Sequence, residues 1–420
     1  MTVSRKKALS ADVAQLALPV KLDPKPRRRG GRLAAPGERR SFKSAGLFAG
    51  IGGIELGLSR AGHEAVLFCE NDKSATAVLQ ARFPGIPVHP DVRELKELPK
   101  EVNLLAGGFP CQDLSQAGKT AGISGARSGL VGEVFRLLEN RPVPWVLLEN
   151  VPFMLQLAKG KALEVIVQAF ERLGYRWAYR IVDTRAFGLP QRRERVFFLA
   201  SLEGDPRDVM LSDDVGEPEP LEAAGHSCGF YWTEGIRGLG WAVNAVPTLK
   251  GGSTIGIASA PAIWMPDGSM VKPDIRDAER MQGFDPNWTQ PAETVVKKGY
   301  RWKLVGNAVT VNVAEWIGER LAAPRVYRPT SDHPLKRGAP WPRAAWNLGQ
   351  GRFTAPVSAY PVRRRPATLS KYLRYSPDLL SVKGAAGFLS RARSGSLRFP
   401  PGFLDAVEAH LRRMEASEAA

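Results

Sequence analysis

The chain has 420 residues, of which 44% are hydrophobic, and its formal net charge is +17. This length accommodates two domains of ordinary size or one large domain with an insertion. No apolar run approaches the roughly 18 residues of a membrane span. Cys69, Cys111 and Cys228 form no closely spaced pair and the five histidines are scattered. We therefore expect no metal site, no disulfide framework and no membrane segment.

The positive charge is concentrated at the two ends of the chain. Residues 1–45 hold 12 basic and 3 acidic side chains, and residues 325–420 hold 17 and 6, which gives +9 and +11. The body between them is slightly acidic. Basic ends on a near-neutral body favour contact with a polyanion such as nucleic acid. Solvated tails that only aid solubility have the same composition, so this alternative stays open.

From Ser44 the sequence alternates short apolar runs with amphipathic stretches. The runs "AGLFAG", "EAVLFCE", "VNLLAGG", "PWVLLENV", "YRWAYRIVD" and "ERVFFLA" predict strands. The stretches "GIELGLSRAG", "DKSATAVLQARF", "LVGEVFRLLEN" and "ALEVIVQAFERLG" predict helices. Nearly continuous apolar strands that alternate with helices are typical of parallel strands covered on both faces. The pattern predicts an α/β fold with a doubly wound sheet.

This alternation stops at Ser201. Residues 203–222 are acidic and contain prolines, which indicates a boundary. Residues 223–300 are rich in Gly, Trp and Thr, with short runs such as "VPTLKGGSTIGI", and they predict a smaller, irregular β-rich domain. A helix is predicted at 307–322, and another over "PPGFLDAVEAHLRRMEA". The predicted domains are a basic disordered tail at 1–44, the main domain at 45–203 plus 300–322, the β-rich domain at 204–299 and a basic C-terminal extension at 323–420.

The segment "LFAGIGG" is a glycine-rich turn between the first predicted strand and the first helix. Glycine lets the backbone approach a ligand, and a helix N-terminus attracts anionic groups. Tight turns of this composition also occur without a ligand. Glu70 ends the second strand, where doubly wound folds place an acid that binds ribose hydroxyls; a solvated acid is the alternative. Asp91 follows another extended stretch and is a candidate for contact with an adenine amino group.

Cys111 in "GGFPCQDLS" directly follows a predicted strand, at the edge where open α/β sheets bind ligands. Most free cysteines are small buried side chains, and this is our interpretation of Cys69 and Cys228. Cys111 differs because the polar, glycine-punctuated stretch "QDLSQAGKTAGISGARSG" follows it, which is typical of a mobile lid. Glu149 and Asn150 end the strand "PWVLLEN", where an acid is either solvated or a proton donor in a cleft.

Together these motifs resemble those of the DNA (cytosine-5) methyltransferases. From about Ala45 to Leu321, "LFAGIGG" is similar to the cofactor loop, "GGFPCQ" to the nucleophile motif, "ENV" to the acid motif and "QRRERVFFLA" to the arginine motif. "RDAERMQGF" and "GNAVTVNVAEWI" are similar to the segment after target recognition and to the closing helix. The resemblance implies a Rossmann-like methyltransferase sheet that uses S-adenosylmethionine, with residues 204–299 as the target-recognition domain.

The resemblance also implies a catalytic set. Cys111 adds as a thiolate to carbon-6 of cytosine, because carbon-5 alone is a poor nucleophile. Glu149 protonates or hydrogen bonds ring nitrogen-3, and Asn150 helps to hold Glu149 and the backbone. Arg195 reaches the cytosine carbonyl or a phosphate. Arg193 alternates with Arg195 on an extended segment, so both are expected to face the same side.

The implied cofactor is S-adenosylmethionine. Phe48 is expected beneath the adenine edge, Glu70 at the ribose hydroxyls and Asp91 at the adenine amino group. Asn71 stands where an aromatic or apolar residue is frequent in the family, so one face of the adenine pocket departs from the common pattern. The complete predicted cofactor set is Phe48, Gly50, Ile51, Gly52, Gly53, Glu70, Asn71, Asp91, Val92, Pro110, Leu130, Asn307 and Val309.

A cytosine that is stacked in a duplex must leave the helix to meet such a site. Double-stranded DNA is therefore the expected partner, bound by a monomer in the bacterial cytoplasm at the nucleoid, with a cognate restriction endonuclease as a further partner. A tRNA cytosine-5 methyltransferase of the same fold and a catalytically inactive DNA-binding relative are the alternatives. The predicted DNA contacts are Gln112, Ser115 and Arg127 on the lid and Thr248, Leu249 and Lys250 in the recognition region.

Two expectations concern regions beyond these motifs. Trp232, Trp241 and Trp264 are expected to be core residues rather than platforms for base stacking. Residues 325–420 are expected to form a small helical appendage that docks through apolar faces on "DLLSVKGAAGFL" and "FLDAVEAHL". The arginines of this appendage are expected to contact DNA phosphates, which contribute affinity without sequence information.

Overall fold

The computed structural model describes residues 39–109, 129–252 and 260–420. Most of the predicted disordered tail and the predicted lid lie outside the described residues. So do five of the predicted site residues, namely Pro110, Cys111, Gln112, Ser115 and Arg127.

The strands and helices are short and follow the predicted alternation through the first half of the chain. In chain order the strands are β1 (Lys43–Leu47), β2 (Glu64–Cys69), β3 (Val88–His89), β4 (Leu104–Gly108), β5 (Trp145–Asn150), β6 (Arg176–Asp183), β7 (Gln191–Arg192), β8 (Glu194–Ser201), β9 (Cys228–Phe230), β10 (Ala242–Val243), β11 (Val246–Pro247), β12 (Ala262–Trp264), β13 (Met270–Lys272), β14 (His333–Pro334), β15 (Ala344–Asn347), β16 (Arg352–Thr354) and β17 (Asp378–Leu379). The α-helices are α1 (Gly53–Arg60), α2 (Lys73–Arg82), α3 (Leu130–Asn140), α4 (Lys161–Arg172), α5 (Arg207–Met210), α6 (Ile275–Met281), α7 (Arg301–Asn307), α8 (Val311–Ala322), α9 (Leu369–Tyr372), α10 (Val382–Ser394) and α11 (Phe403–Ala419). The 3₁₀ turns are Pro152–Leu155, Thr184–Phe187, Gln290–Thr294 and Lys298–Tyr300.

Ten strands form a mixed sheet in the order β14–β16–β15–β6–β8–β5–β4–β1–β2–β3. The strands β1 to β5 run parallel, and β8 runs antiparallel between β5 and β6. The chain moves outward from β1 to β3 and then returns to β4 on the other side of β1, so the strand order reverses between β1 and β4. At such a reversal the carboxyl ends of the strands leave a crevice, where doubly wound folds bind their ligands. The predicted α/β fold is confirmed.

Aromatic side chains join the helices to the middle of this sheet. Helix α3 buries Val131, Val134 and Phe135 on one face, at the spacing of an amphipathic helix. Phe135 meets Phe170 of α4 edge-on, with ring centroids 5.0 Å apart, and Phe170 stacks on Phe198 of β8 at 5.2 Å. Burial of one such ring contributes about 1.5–3 kcal/mol. This core supports β5 and β8, the two strands that carry the predicted acid and arginine motifs.

A second sheet consists of five short antiparallel strands in the order β10–β9–β12–β13–β17. Its core contains Phe230 of β9, Phe388 of α10 and Phe403 of α11, with ring centroids between 4.9 and 5.8 Å apart. The C-terminal helices therefore complete the core of this sheet. The tryptophans predicted as core residues pack against the same cluster: Trp232, Trp241 and Trp264.

The C-terminal residues contribute strands to both sheets. Strand β15 pairs with β6, and β16 and β14 continue the main sheet beyond it, while β17 pairs with β13 in the second sheet. Arg352 of β16 lies 2.8 Å from carboxylate oxygens of both Glu164 and Glu171, on α4. The segment is thus built into the sheets rather than attached as a helical appendage. The sequence predicts α10 and α11 but not these strands, because runs as short as "AAWN" show no period.

Within the described ranges, none of the helices combines the length and the apolar character that crossing a bilayer requires. The same residues contain no cluster of three or more His, Cys, Asp or Glu side chains placed to hold a metal ion.

Candidate active site

A cavity of about 520 Å³ lies at the carboxyl ends of β1, β2, β4 and β5, where the strand order reverses. Its volume is in the range of small-molecule sites. The loop after β1, the acids after β2, the ends of β4 and β5 and the turn after α7 form its walls. The predicted site residues that line it are Phe48, Gly50, Ile51, Glu70, Asn71, Asp91, Val92, Leu130, Glu149, Asn150, Arg195 and Asn307.

Glu70 holds the glycine-rich loop at one wall of the cavity. Its Oε2 accepts a hydrogen bond from the backbone N–H of Gly50 at 2.8 Å, and its Oε1 accepts one from the N–H of Asp72 at 2.8 Å. The loop needs left-handed backbone at Phe48 and at two glycines, Gly50 and Gly52, with φ of 53°, 56° and 81°. Burial raises the pKa of Glu70, and its hydrogen bonds to backbone N–H groups oppose this rise. A half-buried carboxylate with free lone pairs therefore faces the cavity at the end of β2.

Gly53 allows the first helix to pack closely on the turn before α8. A Cβ added at Gly53 would lie 2.3 Å from the carbonyl oxygen of Val309. Real Cβ atoms do not approach so closely, so the turn requires glycine here for space rather than for backbone conformation. Gly53 and Val309 line a smaller recess of about 40 Å³ beside the main cavity. These two predicted cofactor residues shape the wall next to the loop.

Asp91 also lines the main cavity, but its carboxylate has a partner on the protein. Arg93 donates hydrogen bonds to both carboxylate oxygens of Asp91, at distances from 2.6 to 3.1 Å. These hydrogen bonds lower the pKa of Asp91 to about 2, so the carboxylate is ionised at neutral pH. Contact with an adenine amino group would have to use an oxygen that Arg93 already shares.

Glu149 and Arg195 form a buried ion pair at the opposite wall. Glu149 Oε1 lies 2.9 Å from Arg195 Nε, and their side chains are 10% and 14% exposed. Burial raises the pKa of Glu149, while the positive charges of Arg195 and Arg193 oppose the rise. A Cβ added at Gly108, the neighbour of Glu149 on β4, would lie 2.9 Å from Glu149 Oε2. The glycine in "GGFPC" thus leaves room for the acid.

Asn150 links the ends of two neighbouring strands. Its side-chain N–H₂ donates to the carbonyl of Phe109 at 3.0 Å, and its side-chain oxygen accepts from the N–H of Val151 at 2.8 Å. Phe109 precedes the nucleophile motif "PCQ" in the chain. Asn150 therefore holds Phe109 against the end of β5.

Arg193 points away from the cavity, in contrast to the expectation that it faces the same side as Arg195. It is buried, and its guanidinium donates to the carbonyl oxygens of Leu249 at 3.0 Å, Gly306 at 3.2 Å and Ala308 at 2.5 Å. It lies behind the site, where it joins Leu249 of the predicted recognition region to the end of α7 and the residue after it. A catalytic contact to substrate stays a prediction for Arg195.

The predicted DNA contacts of the recognition region lie beside the arginine motif. Thr248 Oγ1 donates to the carbonyl of Arg192 at 2.8 Å, and Leu249 N–H donates to Gln191 Oε1 at 3.1 Å. Lys250 pairs with Glu234 and its ammonium lies 3.7 Å from the centroid of the Tyr231 ring. The structure thus places these residues at the arginine motif.

Glu55 is a buried acid that the sequence motifs do not reveal. It lies on α1, is 1% exposed and lines the smaller recess. Neither carboxylate oxygen has a hydrogen-bond partner in the part of the chain that the structure describes. Burial raises the pKa of Glu55 to about 7, and the nearby charge of Glu70 adds to the rise. A polar residue beside Ile54 in "GIELGL" is the only sequence signal, and it does not separate a buried from an exposed face.

These features define an α/β enzyme whose ligand cavity, at the carboxyl edge of a doubly wound sheet, combines a glycine-rich loop with the half-buried Glu70 and the buried Glu149. The family model of the C-5 cytosine-specific DNA methylases matches residues 42–222. The chain is 48% identical over 382 residues to the Type II methyltransferase M2.BsuMI of Bacillus subtilis (strain 168), and this match covers 87% of the chain and 97% of that protein.

Type II methyltransferase M.MspI of Moraxella sp is 27% identical over 301 residues, covering 67% of this chain and 70% of that protein. Among solved structures, the Dnmt2 methyltransferase of S. pombe is 18% identical with a TM-score of 0.48, covering 67% of this chain and 98% of that chain. The chain belongs to the C-5 cytosine-specific DNA methylase family and is a DNA (cytosine-5) methyltransferase. The resemblance seen in its motifs is confirmed.

Proposed function

We propose that this enzyme methylates carbon-5 of a cytosine that has left the DNA duplex, through a covalent bond between Cys111 and carbon-6 of the ring. The observation that carries the proposal is the buried Glu149–Arg195 ion pair, 2.9 Å long, at the wall of the cavity. Glu149 is the register partner of Gly108, and Cys111 follows Gly108 by three positions in the chain. The acid and the nucleophile motif thus belong to the ends of adjacent parallel strands.

The cavity also fits S-adenosylmethionine as the methyl donor. Glu70 presents a half-buried carboxylate suited to ribose hydroxyls, while the Phe48–Gly53 loop and Asn307 offer backbone and amide groups beside it. Acidic groups dominate these walls, which suits a ligand with a positively charged sulfur and ammonium group. When bound, S-adenosylmethionine supplies an electrophilic methyl group. We propose Phe48, Glu70 and Asp91 as the residues that position its adenosine.

Within this proposal the protein activates the cytosine before the methyl group is transferred. The Cys111 thiolate adds to carbon-6 as Glu149 donates a hydrogen bond or proton to ring nitrogen-3, so electron density moves to carbon-5. Arg195 holds Glu149 and hydrogen bonds the carbonyl of the base. After methylation a base removes the proton from carbon-5, the bond between carbon-6 and sulfur breaks, and the thiolate is restored. Burial raises the pKa of Glu149, and this direction supports its role as a donor.

The target cytosine is proposed to leave the helix because carbon-6 lies between stacked neighbours in a duplex. Gln112, Ser115 and Arg127 are proposed to fill the gap and hold phosphates, and Thr248, Leu249 and Lys250 to border the DNA at the recognition region. We also propose that the enzyme acts as a monomer in the cytoplasm. A partner restriction endonuclease is proposed from the Type II methyltransferases to which the chain is similar.

Substitution of Cys111 tests the covalent step. Cys111→Ala should abolish methyl transfer and leave binding of DNA and S-adenosylmethionine largely intact. Cys69→Ala and Cys228→Ala are the matched controls, because burial raises the pKa of these thiols to about 12 and about 11 and keeps them protonated. A duplex with 5-fluorocytosine at the target should trap an adduct with wild type and none with Cys111→Ala. Near wild-type methylation by Cys111→Ala would show that the mechanism is wrong.

Bisulfite sequencing of a plasmid carried in cells that express the enzyme should identify the methylated sequence and the cytosine within it. Parallel assays with duplex DNA and with tRNA separate the proposal from its alternatives. Methylation of tRNA but not of DNA would favour the tRNA enzyme of the same fold. DNA binding without methylation of either nucleic acid would favour an inactive relative.

A further inference from the structure

An extended segment connects the main sheet to the second sheet along the edge that holds the cavity. This strap comprises residues 359–368, of sequence "AYPVRRRPAT". It starts beside β6, where the N–H of Asp183 donates to the carbonyl of Ala359 at 3.0 Å. It ends at the second sheet, where Asn244 accepts from the N–H of Leu369 at 2.8 Å and donates to Ala367 at 3.2 Å. The strap therefore has a defined path between the two sheets.

The middle of the strap lies on the turn that leads into the arginine motif. The N–H of Arg364 donates to the carbonyl of Ala186 at 2.9 Å, and the N–H of Ala367 donates to Gly188 at 3.2 Å. A Cβ added at Gly188 would lie 2.7 Å from the carbonyl oxygen of Arg365. This turn follows the carboxyl end of β6 and precedes β7 and β8, so it belongs to the same edge of the sheet as Glu149 and Arg195.

All three arginines of the strap are exposed and lack a carboxylate partner among the described residues, and the guanidinium groups of Arg364 and Arg365 also have no hydrogen bond there. Arg325, Arg343, Arg352 and Arg393, elsewhere in the C-terminal segment, each lie between 2.7 and 2.9 Å from a carboxylate oxygen. Among the residues that the structure describes, Arg364 and Arg365 have no such ion pair. We group them as a basic strip with exposed Arg192 of β7, which follows by four positions Gly188, the residue whose carbonyl accepts from the strap at Ala367.

Arg363, the third arginine of the run, has a different place. Its guanidinium donates to the carbonyls of Val215 and Gly216, both at 3.3 Å, and to that of Glu217 at 3.5 Å. These contacts fix the strap to the main domain. Arg364 is oriented by the ring of Phe187, whose centroid lies 5.8 Å from its guanidinium carbon. The backbone of the strap is therefore fixed, while the guanidinium groups of Arg364 and Arg365 are exposed.

We infer that the strip formed by Arg192, Arg364 and Arg365 binds the phosphates of duplex DNA beside the cytosine that enters the cavity. The inference rests on DNA as the substrate and does not depend on the covalent chemistry. Its basis is the position of the strip at the edge of the sheet that holds the cavity, its exposure and its lack of carboxylate partners among the described residues. Contacts to phosphate position an enzyme on the duplex but carry no base information. The strip thus contributes affinity and register, while other residues select the sequence.

The test compares two double variants of the full chain. Arg364→Gln with Arg365→Gln removes two charges from the strip, and Lys336→Gln with Arg337→Gln removes two from an exposed turn after β14. Binding of a labelled duplex that carries the methylated sequence is measured over a series of salt concentrations. Each lost phosphate contact lowers the log–log salt slope by about 0.9. The strip variant should lose about two units of slope, and the turn variant should retain the wild-type slope.

Three further readouts make the result specific. The strip variant should keep the wild-type affinity for S-adenosylmethionine, the same methylated sequence and the same methylation rate at saturating DNA. In Glu149→Gln, by contrast, the methylation rate should fall. Equal slopes for the two double variants would overturn the inference, because only net charge would then matter. A strip variant that methylates a different sequence would also overturn it, because the strip would then read bases.

Discussion

Glu55→Gln tests whether the buried acid beside the cofactor loop destabilises the protein at neutral pH. Glu55 is 1% exposed on α1, and a Cβ added at Gly46 would lie within 2.2 Å of its Oε1. Glutamine has nearly the same shape and no charge. The substitution therefore removes only the ionisation of this site and leaves the packing against β1 almost unchanged.

The magnitude follows from the pKa of Glu55, which burial raises from 4.5 to about 7. A change of this size corresponds to about 3 kcal/mol, at about 1.4 kcal/mol per unit. Between these two pKa values the folded protein holds a proton at Glu55 that the unfolded chain has lost. The free energy of unfolding therefore falls as pH rises through this window, and it levels off above pH 7. Glutamine abolishes this contribution.

Urea denaturation of the wild type and the variant at a series of pH values, without added ligands, measures the effect. The two proteins should be about equally stable near pH 4.5, and Glu55→Gln should be more stable at pH 8 by up to about 3 kcal/mol. Glu101→Gln, at an exposed position, controls for the loss of one carboxylate. The raised pKa of Glu149 affects both proteins equally and cancels in the difference. Parallel pH profiles for the wild type and Glu55→Gln would refute the reasoning.

Three further predictions concern the acid, the loop and the C-terminal segment. Glu149→Gln should slow single-turnover methylation by at least about 100-fold, as expected for a lost general acid, and calorimetry should show little change in the affinity for S-adenosylmethionine. A variant that lost only cofactor affinity would assign Glu149 to the cofactor pocket. Gly53→Ala should destabilise the protein by about 1–3 kcal/mol and weaken cofactor binding, because its Cβ would meet a backbone oxygen at 2.3 Å, whereas Gly299→Ala, with open space around it, should not. Deletion of residues 331–420 should give insoluble or unfolded protein by circular dichroism, because it removes Phe403 from the core of the second sheet. A folded deletion variant whose DNA binding depends less steeply on salt would instead support the predicted helical appendage.

The parts of the fold that could be predicted from sequence are those with strong local signals. β4 and β5 are nearly continuous apolar runs, as expected for parallel strands buried on both faces, and their ends carry the nucleophile and acid motifs. β15 could not be predicted, because its four residues become a strand only by pairing with β6, more than 160 positions away. Non-local pairing of this kind leaves no periodic trace in so short a run.

The site residues at strand ends could be predicted from the sequence. The orientation of a side chain that binds distant backbone carbonyls could not. Glu70 follows β2, Glu149 lies near the end of β5, and both line the cavity. Arg193 and Arg195 have the same spacing as two residues on one face of a strand, but three carbonyls that come from distant segments hold Arg193 behind the site. The tertiary structure determines which of the two guanidinium groups binds these carbonyls. The charge and spacing of the arginines do not predict it.

The strands and helices that the C-terminal segment adds to both sheets set the order in which the enzyme can be completed during synthesis. All the residues that line the cavity and its recess precede residue 310, so the ribosome makes them before β15, β17 and α11. Until those elements emerge, β6 has an unpaired edge and Phe230 lacks its partner Phe403. Unpaired strand edges and exposed apolar cores are prone to aggregation. We therefore expect methylation activity to appear abruptly when the C-terminal elements leave the ribosome. A chain that ends at a premature stop downstream of all the catalytic motifs should be removed by chaperones or proteases.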